Sequence, residues 1–200
     1  MRILSIHVFS LYQNNPIILS SAFSLSFISL FQRGTLKELL NFHSRLVIER
    51  VSQDTHVQVQ LEKGICYAVR TSDKIGATII CDEEYPKRVA IEFLLKIIDN
   101  FKMFLKEKNI DLNLYTVDTD IKYDYIKNEI EEWQEPSKKD NIMKLQGELN
   151  DVMDIMKKNI EELIKREENL ESLIIKSQDL CGTSKNFYIQ AKKTNKCCNF

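Results

Sequence analysis

Residues 57–81 read VQVQLEKGICYAVRTSDKIGATIIC, and their spacing decides the architecture. Val57, Val59 and Leu61 alternate with Gln58 and Gln60, the period of two that buries one face of a strand. Lys63-Gly64 is a turn pair leading into an apolar run over residues 65–71, and Ser72-Asp73 turns the chain again into residues 75–81. Three strands joined so tightly pair antiparallel, as a meander.

Outward from the meander the period switches. Downstream, Pro86 suits a first helical turn. Val89, Ala90, Phe93, Leu94, Ile97, Phe101 and Leu105 then recur at helical steps, and a weaker helix is predicted over residues 120–133. Upstream, Gly34-Thr35 opens a helix carrying Leu36, Leu39, Leu40, His43, Leu46, Val47 and Arg50 on one stripe. Before it, residues 3–9 and 17–31 read as two strands with Asn14-Asn15 at the turn between them. The order ββαβββαα predicts an α+β domain over residues 1–135, a five-stranded antiparallel sheet covered by helices on both faces.

Between Arg2 and Arg33 the chain has no formal charge apart from His7, as in a signal peptide or membrane span. Asn14, Asn15 and Pro16 interrupt it, and the remaining residues 17–31 include five serines. A spanning helix needs roughly 20 mostly apolar residues, and Phe23, Leu25 and Phe27 alternate with Ser24 and Ser26. A strand is the better reading.

The second part, after Glu135-Pro136-Ser137, has no strand signal. With residues 136–141 as linker and Asp140 as cap, a seam steps by three and four through Ile142, Leu145, Leu149, Val152, Met156, Asn159, Leu163, Arg166, Leu170, Leu173, Ser177, Leu180, Ser184, Phe187, Ala191 and Thr194. Its average of 3.5 residues never drifts, the mark of a coiled-coil seam rather than a globular face. A continuous helix over residues 142–194 would be about 80 Å long. It cannot bury its stripe alone, and Gly147 and Gly182 each cost it about 1 kcal/mol, so partner helices are required.

Composition narrows the function. The 28 basic and 29 acidic side chains nearly cancel, which argues against a strongly basic nucleic-acid face. Five cysteines, two of them adjacent at the end, do not form a secreted disulfide framework. The expected compartment is the reducing cytosol. The sequence contains no G-x-x-x-x-G-K-[ST], G-x-G-x-x-G, H-E-x-x-H or C-x-x-C, and the histidines are scattered. No metal site, cofactor or catalytic residue is therefore expected, and Asp82-Glu83-Glu84 reads as a solvated turn.

Two features carry chemistry. Arg166 sits mid-seam between Leu163 and Leu170. There a buried guanidinium must find acceptors on other helices, and two copies facing each other would repel, so a heteromeric bundle is favoured. The tail Lys192-Lys193-Thr194-Asn195-Lys196-Cys197-Cys198-Asn199-Phe200 joins a basic patch to two thiols. Cys197 stands four from the end, as in a C-a-a-X lipidation signal, and two chains plus lysines anchor stably where one does not.

The segment Asn159-x3-Leu163-Ile164-Lys165-Arg166-x3-Leu170, with Phe187 and Ala191 as membrane-proximal layers, resembles an R-SNARE core of the synaptobrevin type. The preceding domain, with Phe31-Gln32-Arg33 and Glu84-Tyr85-Pro86 before its helices, resembles a longin (profilin-like) domain. Together with the Cys-Cys tail they resemble the lipid-anchored longin R-SNAREs. The resemblance implies vesicle docking and fusion through a four-helix bundle with three Q-SNARE helices (Qa, Qb, Qc), Arg166 forming the central layer. It implies a cytoplasmic protein that cycles onto Golgi, endosomal or vesicle membranes through lipid on residues 195–200, with neither cofactor nor nucleic acid. The family's Cys-Cys-a-a-X end is shortened here, so Cys197 takes the prenyl position and Cys198 adds a second chain. Rab GTPases share the Cys-Cys end, and they or a non-fusogenic longin adaptor are the rival readings, although no phosphate loop is present. Burial of the exposed seam predicts that it folds back onto the first helix around Leu39, Phe42 and Leu46, an intramolecular autoinhibited form.

Overall fold

The computed structural model describes residues 1–12, 15–139, 155–164 and 167–197, the last four by backbone alone. Five strands appear in the expected order: β1 (Ile3–Ser10), β2 (Ile17–Phe23), β3 (Thr55–Gln60), β4 (Ile65–Arg70) and β5 (Ile75–Cys81). They are joined by α1 (Leu30–Arg50) and α2 (Lys87–Lys108), and α3 (Tyr125–Glu132) follows. A sixth strand, β6 (Met156–Asn159), comes from the C-terminal part, giving the sheet order β2-β1-β5-β4-β3-β6. All neighbours are antiparallel except β3 and β6, which pair in parallel with Val57 opposite Met156.

The meander is tight because its turns are built for it. Gly64 has φ +97°, and a Cβ placed there would lie 2.5 Å from the Cys81 carbonyl oxygen, so only glycine fits. Side-chain alternation then sends Ile65, Tyr67 and Val69 to one face, and Cys66 and Ala68 to the other. The first face packs against α2 and α3, where Phe93 stacks on Trp133 at 4.3 Å and the Tyr85 hydroxyl donates to the Trp133 carbonyl at 2.7 Å. The second face packs against α1 and the C-terminal part. Burial drives both thiols within the sheet, Cys66 and Cys81, well above the ordinary cysteine range, so neither is reactive.

Three boundaries differ from the sequence reading. Strand β2 stops at Phe23 rather than continuing to residue 31: Phe23 lies opposite Ser5, the Ser24 amide still reaches the Leu4 carbonyl, and the chain then leaves the sheet for α1. Helix α1 consequently starts at Leu30, before Gly34, with the Arg33 side chain donating to the Ile28 and Ser26 carbonyls at 2.9 and 2.8 Å. Helix α3 starts at Tyr125 rather than near residue 120, because the residues before it form a strap over the β2 edge. There the Thr119 and Ile121 amides donate to the Ile18 and Leu19 carbonyls.

The largest difference lies in the C-terminal part. Among the described residues it is not one long helix but β6, then α4 (Ile160–Leu163), α5 (Leu170–Lys176) and α6 (Gly182–Cys197). Extended residues separate the helices: Ile164 and Ser177 both have ψ 139°, and Asn169 caps α5 reciprocally with Ser172. Without other helices to pack against, the apolar stripe uses the domain itself as partner. A straight 80 Å rod could not wrap that rounded surface, so the helix breaks.

Candidate functional site

The site is the face of α1 with the segment lying on it. Leu39, Phe42 and Leu46 point outward from α1 into this contact and are all buried, and the ring of Phe42 meets His43 edge-on at 5.4 Å. His43 donates through Nδ1 to the Leu39 carbonyl at 2.7 Å, and burial holds its pKa below the ordinary range. From the segment come Ile160, Leu163, Leu170, Ile174, Leu180 and Tyr188, each at most 8% exposed and all in one apolar cluster with α1 and β3. A cavity of about 220 Å³ remains between Phe42, Leu46 and Arg50 of α1 and Leu173 and Ser177 of the segment.

Polar contacts fix the register of this packing. Arg45 of α1 donates through Nε to Asp179 at 2.9 Å, through Nη2 to Asp118 at 2.5 Å and through Nη1 to the Pro16 carbonyl, so one guanidinium ties the segment, the strap and the β2 entry together. Arg50 reaches the Leu163 carbonyl and Glu168, both at 3.4 Å. The Cys181 amide, just before α6, donates to Glu38 at 2.8 Å and holds that carboxyl below its ordinary pKa. Glu62, in the β3–β4 turn, accepts from the Tyr188 hydroxyl at 2.7 Å and lies 3.6 Å from Lys192 Nζ.

The seam read from sequence is divided by this arrangement. Leu163, Leu170, Leu180 and Ser184 are buried, Leu173, Ser177 and Ala191 are half-buried, and Met156, Asn159 and Phe187 are exposed. Ile142, Leu145, Leu149, Val152, Arg166 and Cys198 lie outside the described residues, as do Asp140 and the side chains of Thr194 and Cys197. Ile160, Ile174 and Tyr188 were missed as contact residues. They stand one helical step beside the seam, a neighbouring stripe that the strict 3.5-residue count passes over. Arg45, Glu62 and Asp179 carried no local signal at all.

A sheet with helices on both faces, followed in the sequence by a heptad seam, is the architecture expected of a longin-domain SNARE. Two family models match in that order, the regulated-SNARE-like (longin) domain over residues 23–128 and synaptobrevin over residues 141–199. Similar full-length relatives include a synaptobrevin homolog YKT6 of Debaryomyces hansenii, 32% identical over 99% of this chain and 98% of the relative. Another is the VAMP-like protein YKT61 of Arabidopsis thaliana, 33% identical over 92% and 91% respectively. The chain belongs to this synaptobrevin-homolog family of longin R-SNAREs.

It is therefore a SNARE of vesicle fusion, whose partners are other SNARE helices and membranes, and SNAREs are not enzymes. This sets aside the GTPase reading. No helix among the described residues is long and apolar enough to cross a membrane.

Proposed function

We propose that this chain is a lipid-anchored R-SNARE that pairs residues 142–194 with one Qa, one Qb and one Qc helix, and that its longin domain (residues 1–135) holds the segment closed until it does. The observation that carries the proposal is that Leu163, Leu170 and Leu180, three side chains of the seam, are already buried against α1 and β3. One apolar face cannot serve the domain and three helices at once, so closing and zippering exclude each other.

In the assembled bundle Arg166 supplies the central layer, its planar fork donating to three neutral glutamine carbonyls, since an unpaired guanidinium in a dry interior costs several kcal/mol. Zippering toward Thr194 delivers force to Cys197 and Cys198, the proposed lipid sites, and draws the bilayers together. The membranes served are Golgi, endosomal or vesicle membranes on their cytosolic face.

The test is affinity purification of the chain from detergent extract with mass spectrometry. Three Q-SNARE helices should co-purify in equal amounts, and Arg166→Leu should yield misregistered bundles in cross-linking. Assembly of Arg166→Leu in the same register with full liposome fusion would refute the central-layer role. Unchanged membrane pelleting of a Cys197→Ser/Cys198→Ser double variant would refute the anchor.

A further inference from the structure

At the amino-terminal end of α1, the connection from β2 exposes an apolar patch. Phe31 is 97% exposed, Leu30 74% and Phe27 44%. Single exposed apolar residues are ordinary, but three within five positions of one turn are not. The turn is also held rigid. The Arg33 fork closes on the Ile28 and Ser26 carbonyls, and the Ser29 hydroxyl donates to the Gln32 side chain at 3.1 Å. These side chains are held out into solvent by a built turn.

The stretch of chain that carries the patch has charge of one sign. Residues 1–37 contain no aspartate or glutamate, while Arg2, Arg33 and Lys37 fall within them. The Arg2 guanidinium lies over the Phe27 ring at 4.5 Å, and Lys37 lies over Phe23 at 5.2 Å. Nearby carboxylates are already engaged: Asp82 and Glu84 lie 3.7 and 3.8 Å from the Met1 amino group, and Glu38 accepts from the Cys181 amide. Apolar tips ringed by long cationic side chains suit the interface of an anionic bilayer, where rings enter and cations stay at the headgroups.

The patch also lies at the end of the sheet toward which α6 runs. Lys192 of α6 meets Glu62 in the β3–β4 turn, that turn abuts Cys81, the next amide (Asp82) donates to the Arg2 carbonyl, and Arg2 covers Phe27. We propose that Phe27, Leu30 and Phe31 form a membrane-inserting wedge for anionic phospholipid, a second attachment point beside the C-terminal lipid. The orientation, though not the patch itself, rests on the proposed lipid at Cys197 and Cys198.

The test replaces that lipid. The full chain carrying Cys197→Ser, Cys198→Ser and Phe31→Trp is tethered by a C-terminal hexahistidine tag to vesicles of phosphatidylcholine and phosphatidylserine doped with a nickel-chelating lipid. Signal from the buried Trp133 is subtracted using the same chain with Phe31 retained. The Trp at position 31 should shift to the blue and be quenched by brominated acyl chains. Without the tether, Phe31→Ser should weaken vesicle partitioning about tenfold, the order expected for one phenylalanine leaving an apolar phase. Water-like, unquenched emission from the tethered chain, or equal partitioning of Phe31→Ser, would overturn the wedge and leave the patch to a protein partner. Because the tether stands in for the lipid, failure of the lipid reading shows separately, as absent prenyl and acyl label on the two cysteines.

Discussion

Replacing Phe42 with glutamate should open the molecule without unfolding its domain. Phe42 is 6% exposed and lies between α1 and the segment. Removing its burial costs about 2 kcal/mol, and a carboxylate forced into the same apolar contact costs about 2 kcal/mol more. In the open form both side chains face water and the penalty disappears. The closed-to-open ratio should therefore fall by about a thousandfold, at about 1.4 kcal/mol per factor of ten. Hydrogen exchange read by mass spectrometry resolves this. Amides in residues 170–176 and 182–193 should lose protection, those of β1, β4 and β5 should keep theirs, and Phe42→Leu should lose far less than Phe42→Glu. Equal protection of residues 170–193 in Phe42→Glu and the parent would refute the claim that this contact holds the segment. Loss of protection throughout the sheet would show instead that Phe42 supports the domain.

Three further outcomes follow from other parts of the structure. Arg45→Met leaves Asp118 and Asp179 without their shared donor; at about 2 kcal/mol for charged hydrogen bonds near the surface, exchange should rise together in the strap at residues 117–121 and in residues 177–181. His7 is wholly buried, its Nε2 2.8 Å from Asn41 and its Nδ1 2.9 Å from Ser44, and burial lowers its pKa to about 4. A histidine neutral in the fold and free to charge when unfolded gives stability that is complete above pH 6.5 and lost as pH falls toward 4, about 3 kcal/mol in all. The acid limb of the melting curve should flatten in His7→Gln. Gly64→Ala must place a Cβ against the Cys81 carbonyl at positive φ, and at a cost of about 3 kcal/mol it should lower Tm by about 10 °C in a thermal melt.

Much of the domain was legible because its signals are local. Alternation in residues 57–61, the turn pairs at Lys63-Gly64 and Ser72-Asp73, and the stripe from Val89 to Phe101 each predict their element without reference to distant sequence. The heptad seam was equally plain, and with Arg166 and the two cysteines it carried the family resemblance. What escaped depends on pairing across the chain. Strand β6, with a polar sequence of Met156, Lys157, Lys158 and Asn159, exists because the β3 edge offers it backbone partners. Arg45 sits 73 residues from Asp118 and 134 from Asp179, a separation at which no spacing rule applies. The period of the seam describes the proposed bundle, not the packing against α1.

If the domain and the partner helices compete for one face of the segment, the competition sets the rate of assembly. Full-length chain, its Phe42→Glu variant and the excised segment of residues 142–194 are each mixed with the three Q-SNARE helices, and four-helix formation is followed by circular dichroism or donor–acceptor fluorescence. The full chain should assemble at least tenfold more slowly than the excised segment, and Phe42→Glu should restore most of the difference. Equal rates for all three would contradict the competition.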